Sequence, residues 1–345
     1  MSSVIGVDLG GTKIALAGLR GRHLGESVIK PTDRSSAATL IDQIAAIVDD
    51  QRAPDLQAVG IGVPSVVEFA TGRVISSVNV PLADVPLRKL LGERLAVPVF
   101  VENDATVAAF AEAHDADLRL VAENLVMLTI GTGVGGGLVL GGRIYRGATG
   151  GAGELGHTIV GLGAGDLVPP AAGFPQTGSL ESLASGHALD RLAERGAEDP
   201  GSSLGRLRVE GRAVLGADAV QAAHDGDATA VRIVEVWAER VGIGVANAIN
   251  TFDPEEVVIG GGAARAGELL LAAVRRVARD YVLPGLGTGT TIRLARHGVR
   301  AGVLGAALLA VHELQTVNAH APIDDEAPTS PGDTGEDTHP STEVH

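Results

Sequence analysis

Three glycine-rich segments of the sequence have the composition of phosphate-binding turns. They lie at residues 8–13, 130–137 and 259–262 and contain the candidate nucleotide-binding residues Asp8, Gly10, Gly11, Thr12, Lys13, Thr132, Gly133, Gly261 and Gly262. Glycine lets backbone N–H groups close on a phosphate, and a threonine hydroxyl can donate to it. Asp8 could hold Mg²⁺ directly or through water. Each segment taken alone also fits an ordinary turn.

None of these segments matches the two best-known nucleotide motifs. No Gly-Lys-Ser/Thr occurs at the spacing of a Walker loop. No Gly-x-Gly-x-x-Gly is followed at the required distance by an acidic residue, which disfavours a nicotinamide enzyme. Glycines 260–262 could instead let an adenine or ribose lie against the backbone.

Carboxylates near strand ends are the second group of chemically capable residues. Asp104 follows an apolar run and precedes a helical pattern, so it could be a helix cap or the base that receives a hydroxyl proton during phosphoryl transfer. Glu154 and His157 stand three apart among glycines, with Glu181 further on, and could hydrogen-bond several hydroxyls of a polyol. The alternatives are an incidental surface loop and a zinc site, which the lack of a nearby cysteine or second histidine disfavours.

Alternating strands and helices must position these residues. Strands are predicted at 4–9, 13–19, 58–63, 97–101, 125–130, 138–140 and 257–259, and helices at 37–48, 104–112, 180–195, 228–250, 266–280 and 302–316. Residues 162–178 read as a long loop. This is the α/β pattern, in which ligands bind beyond the carboxyl ends of strands. The glycine segments are therefore expected to form one site.

Composition excludes several functional classes. A chain of 345 residues predicts roughly two domains, at about 150 residues per domain. The absence of cysteine excludes disulfides and thiol catalysis and fits a reducing, cytoplasmic compartment. A net charge of -15 opposes nucleic-acid binding. No run of 18 apolar residues or signal peptide is present, so no membrane association is expected.

Taken together, the motifs resemble the ROK family, which contains sugar kinases and sugar-responsive repressors. The similarity runs from about residue 4 to about residue 311. The matching pieces, in family order, are 8–13, 60–64, 102–105, 131–137, 153–157, 226–227, 250–255 and 259–262. Each piece is weak alone, but the ordered set is highly specific.

The resemblance implies an actin-like, hexokinase-type α/β fold with two ribonuclease-H-like lobes around a cleft. Residues 1–120 would form the first lobe, completed by the helix at 302–316, and residues 121–301 the second. Residues 318–345, rich in proline and acidic residues, are expected to be a disordered tail.

The resemblance also implies an ATP-dependent kinase with named roles. ATP would be bound by the Asp8, Thr132 and Gly261 segments, with Mg²⁺, and Asp104 would be the base. The residues expected to hold the sugar are Asn79, Asn103, Asp104, Glu154, His157 and Glu181. The default reaction is hexose to hexose 6-phosphate, with a C7-cyclitol as the alternative acceptor. A non-catalytic sensor or regulator is disfavoured because the first strand leaves no room for a helix-turn-helix. A homodimer is a further expectation.

Three departures from the family pattern surround the expected sugar pocket. Family members usually carry three cysteines that bind a structural zinc together with the histidine at 157. The aligned positions here are Ala172, Phe174 and Ser179, which predicts that zinc is absent. Ser65 replaces a usual glycine, and Thr106 a usual asparagine. The phosphoryl chemistry is thus expected to be retained, while the identity of the acceptor stays open.

Overall fold

The computed structural model describes residues 3–161 and 173–319. The strands in these ranges are β1 (Ser3–Leu9), β2 (Lys13–Arg20), β3 (His23–Leu24), β4 (Val28–Pro31), β5 (Leu56–Val63), β6 (Ser65–Glu68), β7 (Arg73–Ser77), β8 (Val99–Asn103), β9 (Leu125–Ile130), β10 (Val134–Leu140), β11 (Arg143–Ile144), β12 (Glu256–Gly260) and β13 (Thr291–Leu294). The helices are α1 (Ala37–Asp50), α2 (Leu87–Leu95), α3 (Asp104–Glu112), α4 (Leu180–Ala184), α5 (Gly186–Gly196), α6 (Ser203–Val209), α7 (Gly216–His224), α8 (Ala228–Phe252), α9 (Glu268–Tyr281) and α10 (Ala301–Ala319).

Two large sheets share one connection pattern. The first has the strand order β3-β2-β1-β5-β8, with β4 added to β2, and the second has the order β11-β10-β9-β12-β13. In each, an antiparallel hairpin leads into two parallel strands. The central strands are continuous apolar runs because helices cover both faces. The carboxyl ends of the parallel strands therefore present the glycine segments at one edge of each sheet.

Close glycine contacts attach the last helix, α10, to the first sheet. A Cβ added at Gly6 would overlap the carbonyl oxygen of Val303, and one at Gly60 would overlap that of Ala306. Only glycine allows a helix to approach a strand so closely. The same approach brings Gly302, in the first turn of α10, against the carboxylate of Asp8. The helix thus forms one wall behind a predicted site residue.

A fully buried carboxylate binds together the chain segments that connect the two sheets. Glu112, at the end of α3, accepts a 2.7 Å hydrogen bond from the Arg293 guanidinium. It also accepts the backbone N–H groups of Arg296 and His297 at 2.9 and 2.8 Å. These contacts satisfy a charge that would otherwise be costly to bury. They hold the outgoing and returning chain segments together.

The predicted elements need several corrections. The helix expected at 180–195 is two helices, because Ser185 ends α4 and caps α5 by accepting the Ala188 N–H. Glycines 135–137 belong to β10 and not to the preceding turn. A Cβ added at Gly136 would overlap the Gly153 carbonyl oxygen, and one at Gly137 would overlap Ala105 and Ala109. Helices α2, α6 and α7 were not anticipated.

Some predictions fall outside the described residues. Most of the expected loop at 162–178 and the expected tail after residue 319 lie there, whereas α10 itself extends to Ala319. The domain boundaries near residues 120 and 301 stay predictions. No helix within 3–161 and 173–319 has the length and apolar character needed to cross a bilayer.

Candidate active site

One cavity of about 590 Å³ collects every residue predicted to bind the sugar. Its lining includes Asn79, Asn103, Asp104, Glu154, His157 and Glu181. Gly133 and Gly261, from two of the three glycine segments, also line it. We call it the acceptor cavity. Residues more than 100 positions apart in sequence therefore meet at one place.

Asn103, and not Asp104, is the N-cap of α3. The Asn103 side-chain oxygen accepts the Thr106 N–H at 3.0 Å, and its amide donates to the Ser65 carbonyl oxygen at 3.3 Å. One oxygen of the Asp104 carboxylate accepts the adjacent Ala105 N–H at 2.8 Å. The cap that the sequence allowed for Asp104 is thus supplied by its neighbour, and Asp104 lines the cavity from the first turn of the helix.

Two half-buried carboxylates lie at the end of the first sheet, and the charge of Asp8 acts on Asp104. Burial, and secondarily the negative charge of Asp8, raises the pKa of Asp104 to about 7. Burial also raises the pKa of Asp8, and the Lys13 ammonium partly offsets this. A carboxylate with a pKa near neutrality is well matched to general base catalysis at physiological pH.

The turn between β1 and β2 is fixed by backbone and by Thr32. The Gly10 N–H donates to the Lys13 carbonyl oxygen at 2.9 Å. Thr32 donates its hydroxyl to Gly10 O at 2.7 Å and its N–H to Thr12 O at 3.1 Å. The turn packs behind the wall of the acceptor cavity, since a Cβ added at Gly11 would lie 3.3 Å from Cβ of the lining residue Asn79. Thr12 and Lys13 are exposed beside it.

A second cavity, of about 580 Å³, adjoins the first. Thr132 and Gly262 line it, and Gly131 lines both cavities. Its other walls come from α5, α7 and the start of the Gly262–Ala266 3-10 helix, and they include His187, Asp190, Gln221, His224 and Arg265. We call it the nucleoside cavity, after the occupant proposed for it below. Sequence reasoning missed these helical residues because no glycine motif or spacing marks them.

Glu181 joins the acceptor cavity to the Gly131–Gly133 turn. Its carboxylate accepts the Val134 N–H at 2.8 Å, at the end of the Gly131–Gly133 turn. A Cβ added at Gly133 would overlap that carboxylate. Position 261 is also restricted to glycine, since its φ is 78° and a Cβ there would overlap the Ile130 carbonyl oxygen. The glycine segments are therefore packed tightly against one another.

Comparison with known proteins identifies the relatives of this arrangement. The ROK family model matches residues 4–313. The chain belongs to the ROK family. A glucokinase of Halalkalibacterium halodurans is 37% identical over 88% of this chain and 94% of its own length. An N-acetyl-D-glucosamine kinase of Vibrio cholerae is 33% identical over 88% of this chain and 98% of its own.

A solved structure confirms the predicted fold class. The ROK glucokinase of Streptomyces griseus, solved in complex with glucose and AMPPNP, is 32% identical to this chain. It covers 90% of this chain and 100% of its own, with a TM-score of 0.75. This ROK protein therefore has the two-lobed, actin-like α/β fold that the motifs implied.

Glu102, which precedes Asn103 in the ROK motif, forms a buried ion pair in this protein. It is 1% exposed and accepts a 2.6 Å hydrogen bond from Arg146 Nε. Arg146 also donates to Glu313 of α10 at 2.8 Å and lies over the Phe69 ring. Burial raises the pKa of Glu102, while Arg146 lowers it. The motif carboxylate thus anchors the end of β8 from behind the cavity.

The departures from the ROK pattern differ in their relation to the site. Ser65 and Phe174 line the acceptor cavity. Thr106 is buried in α3 and contributes its backbone N–H to the Asn103 cap. Ser179 is fully buried and caps α4, which carries Glu181, and Ala172 lies outside the described residues. The absence of zinc stays a prediction that these residue types support.

Proposed function

We propose that this ROK protein transfers the γ-phosphoryl group of ATP to the primary hydroxyl of a hexose, with glucose as its preferred acceptor and glucose 6-phosphate as product. The class, an ATP-dependent sugar kinase, rests on glucokinase relatives at 32–37% identity that match nearly their whole length. The observation that carries the residue roles is the meeting of all six predicted sugar-binding residues, including Asp104, in one cavity.

Asp104 is the proposed general base. Its carboxylate accepts the proton of the acceptor hydroxyl as the oxygen attacks the γ-phosphorus, and the bond to the β–γ bridging oxygen breaks to release ADP. Phosphoryl transfer requires mainly alignment and a proton acceptor. A pKa of about 7 leaves Asp104 largely ionised at mildly alkaline pH while keeping it basic enough to take the proton.

The nucleotide is proposed to span the two glycine turns. The adenosine would occupy the nucleoside cavity, whose wall begins at Thr132 and Gly262. The phosphates would extend over Gly131 and Gly133, toward the turn at Gly10. The sharing of Gly131 by both cavities supports this path, because it joins the nucleoside and the acceptor.

Asp8 is the residue proposed to hold Mg²⁺. Its half-buried carboxylate lies close enough to Asp104 for its negative charge to add to the effect of burial on the pKa of Asp104. Lys13 is the cation that partly offsets the charge of Asp8. Carboxylate oxygens are the ligands that a hard divalent cation prefers, and the remaining ligands would come from the phosphates and water. When bound, Mg²⁺ neutralises the charge of the transferring phosphates.

Acceptor recognition is proposed to come from Asn79, Glu154, His157 and Glu181. Carboxylate, amide and imidazole groups can each bind one or two sugar hydroxyls. Asn103 shares its side chain with the helix cap and with Ser65 O, so its contact with the sugar would use a remaining lone pair. Xylose repressors of the same family are 29% identical to this chain, below the 32–37% of the glucokinases, so the kinase is favoured over the regulator. The two kinase names reported above point to hexoses and not to a cyclitol.

A substrate screen tests the proposal. Purified protein with ATP and Mg²⁺ is assayed for ADP release with glucose, N-acetylglucosamine and a C7-cyclitol, with the Asp104→Asn variant as the blank. We expect the highest kcat/KM with glucose and a 6-phosphate by phosphorus NMR. A higher kcat/KM for either other acceptor would overturn the assignment of glucose. ADP release that is equal in the blank would overturn the kinase assignment.

Location and assembly complete the proposal. We place the protein in the cytoplasm, where ATP and hexoses meet and where a chain without cysteine needs no oxidising environment. A homodimer is proposed and is testable by sedimentation of the full chain.

A further inference from the structure

Phe174 is an exposed aromatic residue beside the most polar part of the acceptor cavity. The chain has only five phenylalanines, and within the described residues Phe174 is the one that is strongly exposed, at 76%. It lines the acceptor cavity together with Glu154, His157 and Glu181. Ligand sites combine such aromatic surface with a few placed polar groups. Because this exposed ring lies in the wall of the acceptor cavity, we expect it to contribute to ligand binding.

The phenyl ring contacts the imidazole of His157. The two ring centroids are 5.1 Å apart and the planes meet at 72°, which is an edge-to-face arrangement. Such pairs are attractive because the positive edge of one ring meets the negative face of the other. The contact joins the segment that follows Gly153 to the segment that precedes α4.

Other contacts hold the His157 ring only weakly. Its Nδ1 is buried and has no hydrogen-bond partner among the residues the structure describes. Its Nε2 lies 3.7 Å from the Glu154 carboxylate, which is too far for a direct hydrogen bond. A binding histidine normally has its ring orientation fixed through one nitrogen. Here the most defined contact of the ring is the one with Phe174.

Backbone contacts also join the segments that carry His157 and Glu181. Leu180 donates its N–H to Thr158 O at 2.9 Å, and Val160 donates to Gly178 O at 2.8 Å. The Ser179 hydroxyl caps α4 by accepting the Ser182 N–H at 3.2 Å. The segments that carry His157 and Glu181 are thus tied together by pairing and capping. The residue types at 172, 174 and 179 offer no thiolate, so the zinc of the family pattern does not fit them.

We propose that Phe174 is the positioning residue for His157, fixing the imidazole toward the acceptor in the place of a structural zinc. This inference rests on the proposed function, because it assigns the acceptor as the partner of His157. The phenyl ring supplies the orientation, and the Ile159–Ser179 pairing with the Ser179 cap supplies the loop closure.

Four single variants and one double variant test this role. Phe174→Ala removes the ring, Phe174→Tyr keeps it, and His157→Ala removes its partner. Tyr281→Ala is the matched control, since Tyr281 is a similarly exposed aromatic residue that lines neither cavity of the active site. For each we measure the KM for glucose, the KM for ATP, kcat, Tm, and glucose affinity by calorimetry.

We expect Phe174→Ala to raise the KM for glucose about 3- to 10-fold, which corresponds to the interaction free energy of one aromatic pair. The KM for ATP and Tm should stay unchanged. Phe174→Tyr should restore the wild-type KM. The double variant Phe174→Ala/His157→Ala should match His157→Ala alone, because non-additivity is the signature of one residue acting through another. Elemental analysis should find no stoichiometric zinc, and EDTA should leave Tm unchanged.

Several outcomes would overturn the inference. These are an unchanged glucose KM in Phe174→Ala, an equal change in Tyr281→Ala, full additivity in the double variant, or stoichiometric zinc whose removal lowers Tm. If any of these results were obtained and the wild-type protein still turned over glucose, the proposed function would remain valid. A wild-type protein that neither binds nor turns over glucose would overturn both.

Discussion

The hairpins β1–β2 and β9–β10 occupy equivalent positions in their sheets but carry different chemical groups. Leu9 pairs with Ile14 in one, and Ile130 pairs with Val134 in the other. By this register Asp8 corresponds to Thr129. The first hairpin therefore carries a half-buried carboxylate just before its turn, whereas the second carries a hydroxyl at that place.

The rest of each sheet continues this difference. In the first sheet, β8 leads to Asp104. Burial raises the pKa of the Asp104 carboxyl group to about 7. The second sheet leads through β12 to Gly261, where only glycine avoids overlap with Ile130 O. One topology used twice thus provides Asp8 and Asp104 from the first lobe and closely approaching glycine backbone from the second, which also carries Glu154 and Glu181. Variants in the two lobes should consequently change different kinetic constants.

The largest effect is expected from Asp104→Asn, in the first lobe. An amide cannot take the acceptor proton, so kcat should fall about 10²- to 10⁴-fold. The fold should persist because Asn103 caps α3. Turnover and glucose affinity are measured together, with exposed Asp117→Asn as the control. Retention of more than about a tenth of kcat would show that Asp104 is not the base.

In the second lobe, Gly133→Val should act on both substrates. The sequence alone predicts weaker ATP binding, because a branched side chain would enter the phosphate turn. The structure adds that the new Cβ would displace the Glu181 carboxylate. We therefore expect the KM values for ATP and for glucose each to rise about 5- to 50-fold, the cost of one forced shift in packed surroundings.

The control for this variant is Gly18→Val. Gly18 lies in β2, and an added Cβ there would meet nothing within 4 Å. Its kinetic constants should equal those of the wild type. If Gly133→Val, correctly folded by circular dichroism, kept both KM values, the turn would not be a phosphate site.

The pH dependence should distinguish the two lobes. Asp104 acts as a base when ionised, so kcat/KM should fall about tenfold per pH unit below about 7. The Gly133→Val variant should keep this profile at a lower level, because its defect is in binding. A pH profile that is flat between pH 5 and about 7 would contradict the raised pKa of Asp104.

The effect of Asp104 on folding stability should have the opposite pH dependence to its effect on activity: stability should fall as pH rises, whereas kcat/KM should increase. Burial raises the pKa of Asp104 in the folded protein above its ordinary value of 3.8 to about 7. Ionisation therefore costs folding free energy as pH rises from about 4 to about 7, and the cost is fully present above that range. Asp104→Asn should be more stable than the wild type at pH 8 and equal to it near pH 4 by denaturant unfolding. Equal stabilities at pH 8 would contradict this assignment.

The parts of the site that the sequence predicts are those with local signatures. Asp8 and Gly133 follow apolar runs, and Asp104 opens a helix, so their places at strand ends could be anticipated. His187 and His224 could not, because they reach the nucleoside cavity only through the packing of α5 and α7. The Phe174–His157 contact was equally hidden, since a lone phenylalanine in a glycine-rich loop has no periodic signal.

The smallest effect is expected from removing residues 320–345. This segment is acidic, with no lysine or arginine. Too few of its residues are large and apolar to bury a surface of their own. Truncation after Ala319 should leave kcat unchanged and shift Tm by less than about 2 °C. Truncation after Gly305 is the contrasting control, because it removes the buried residues Leu308 and Leu309 that pack α10 on the first lobe, and it should prevent folding. A loss of several degrees in Tm from the shorter deletion would show that the tail docks on the lobe that carries Asp8 and Asp104.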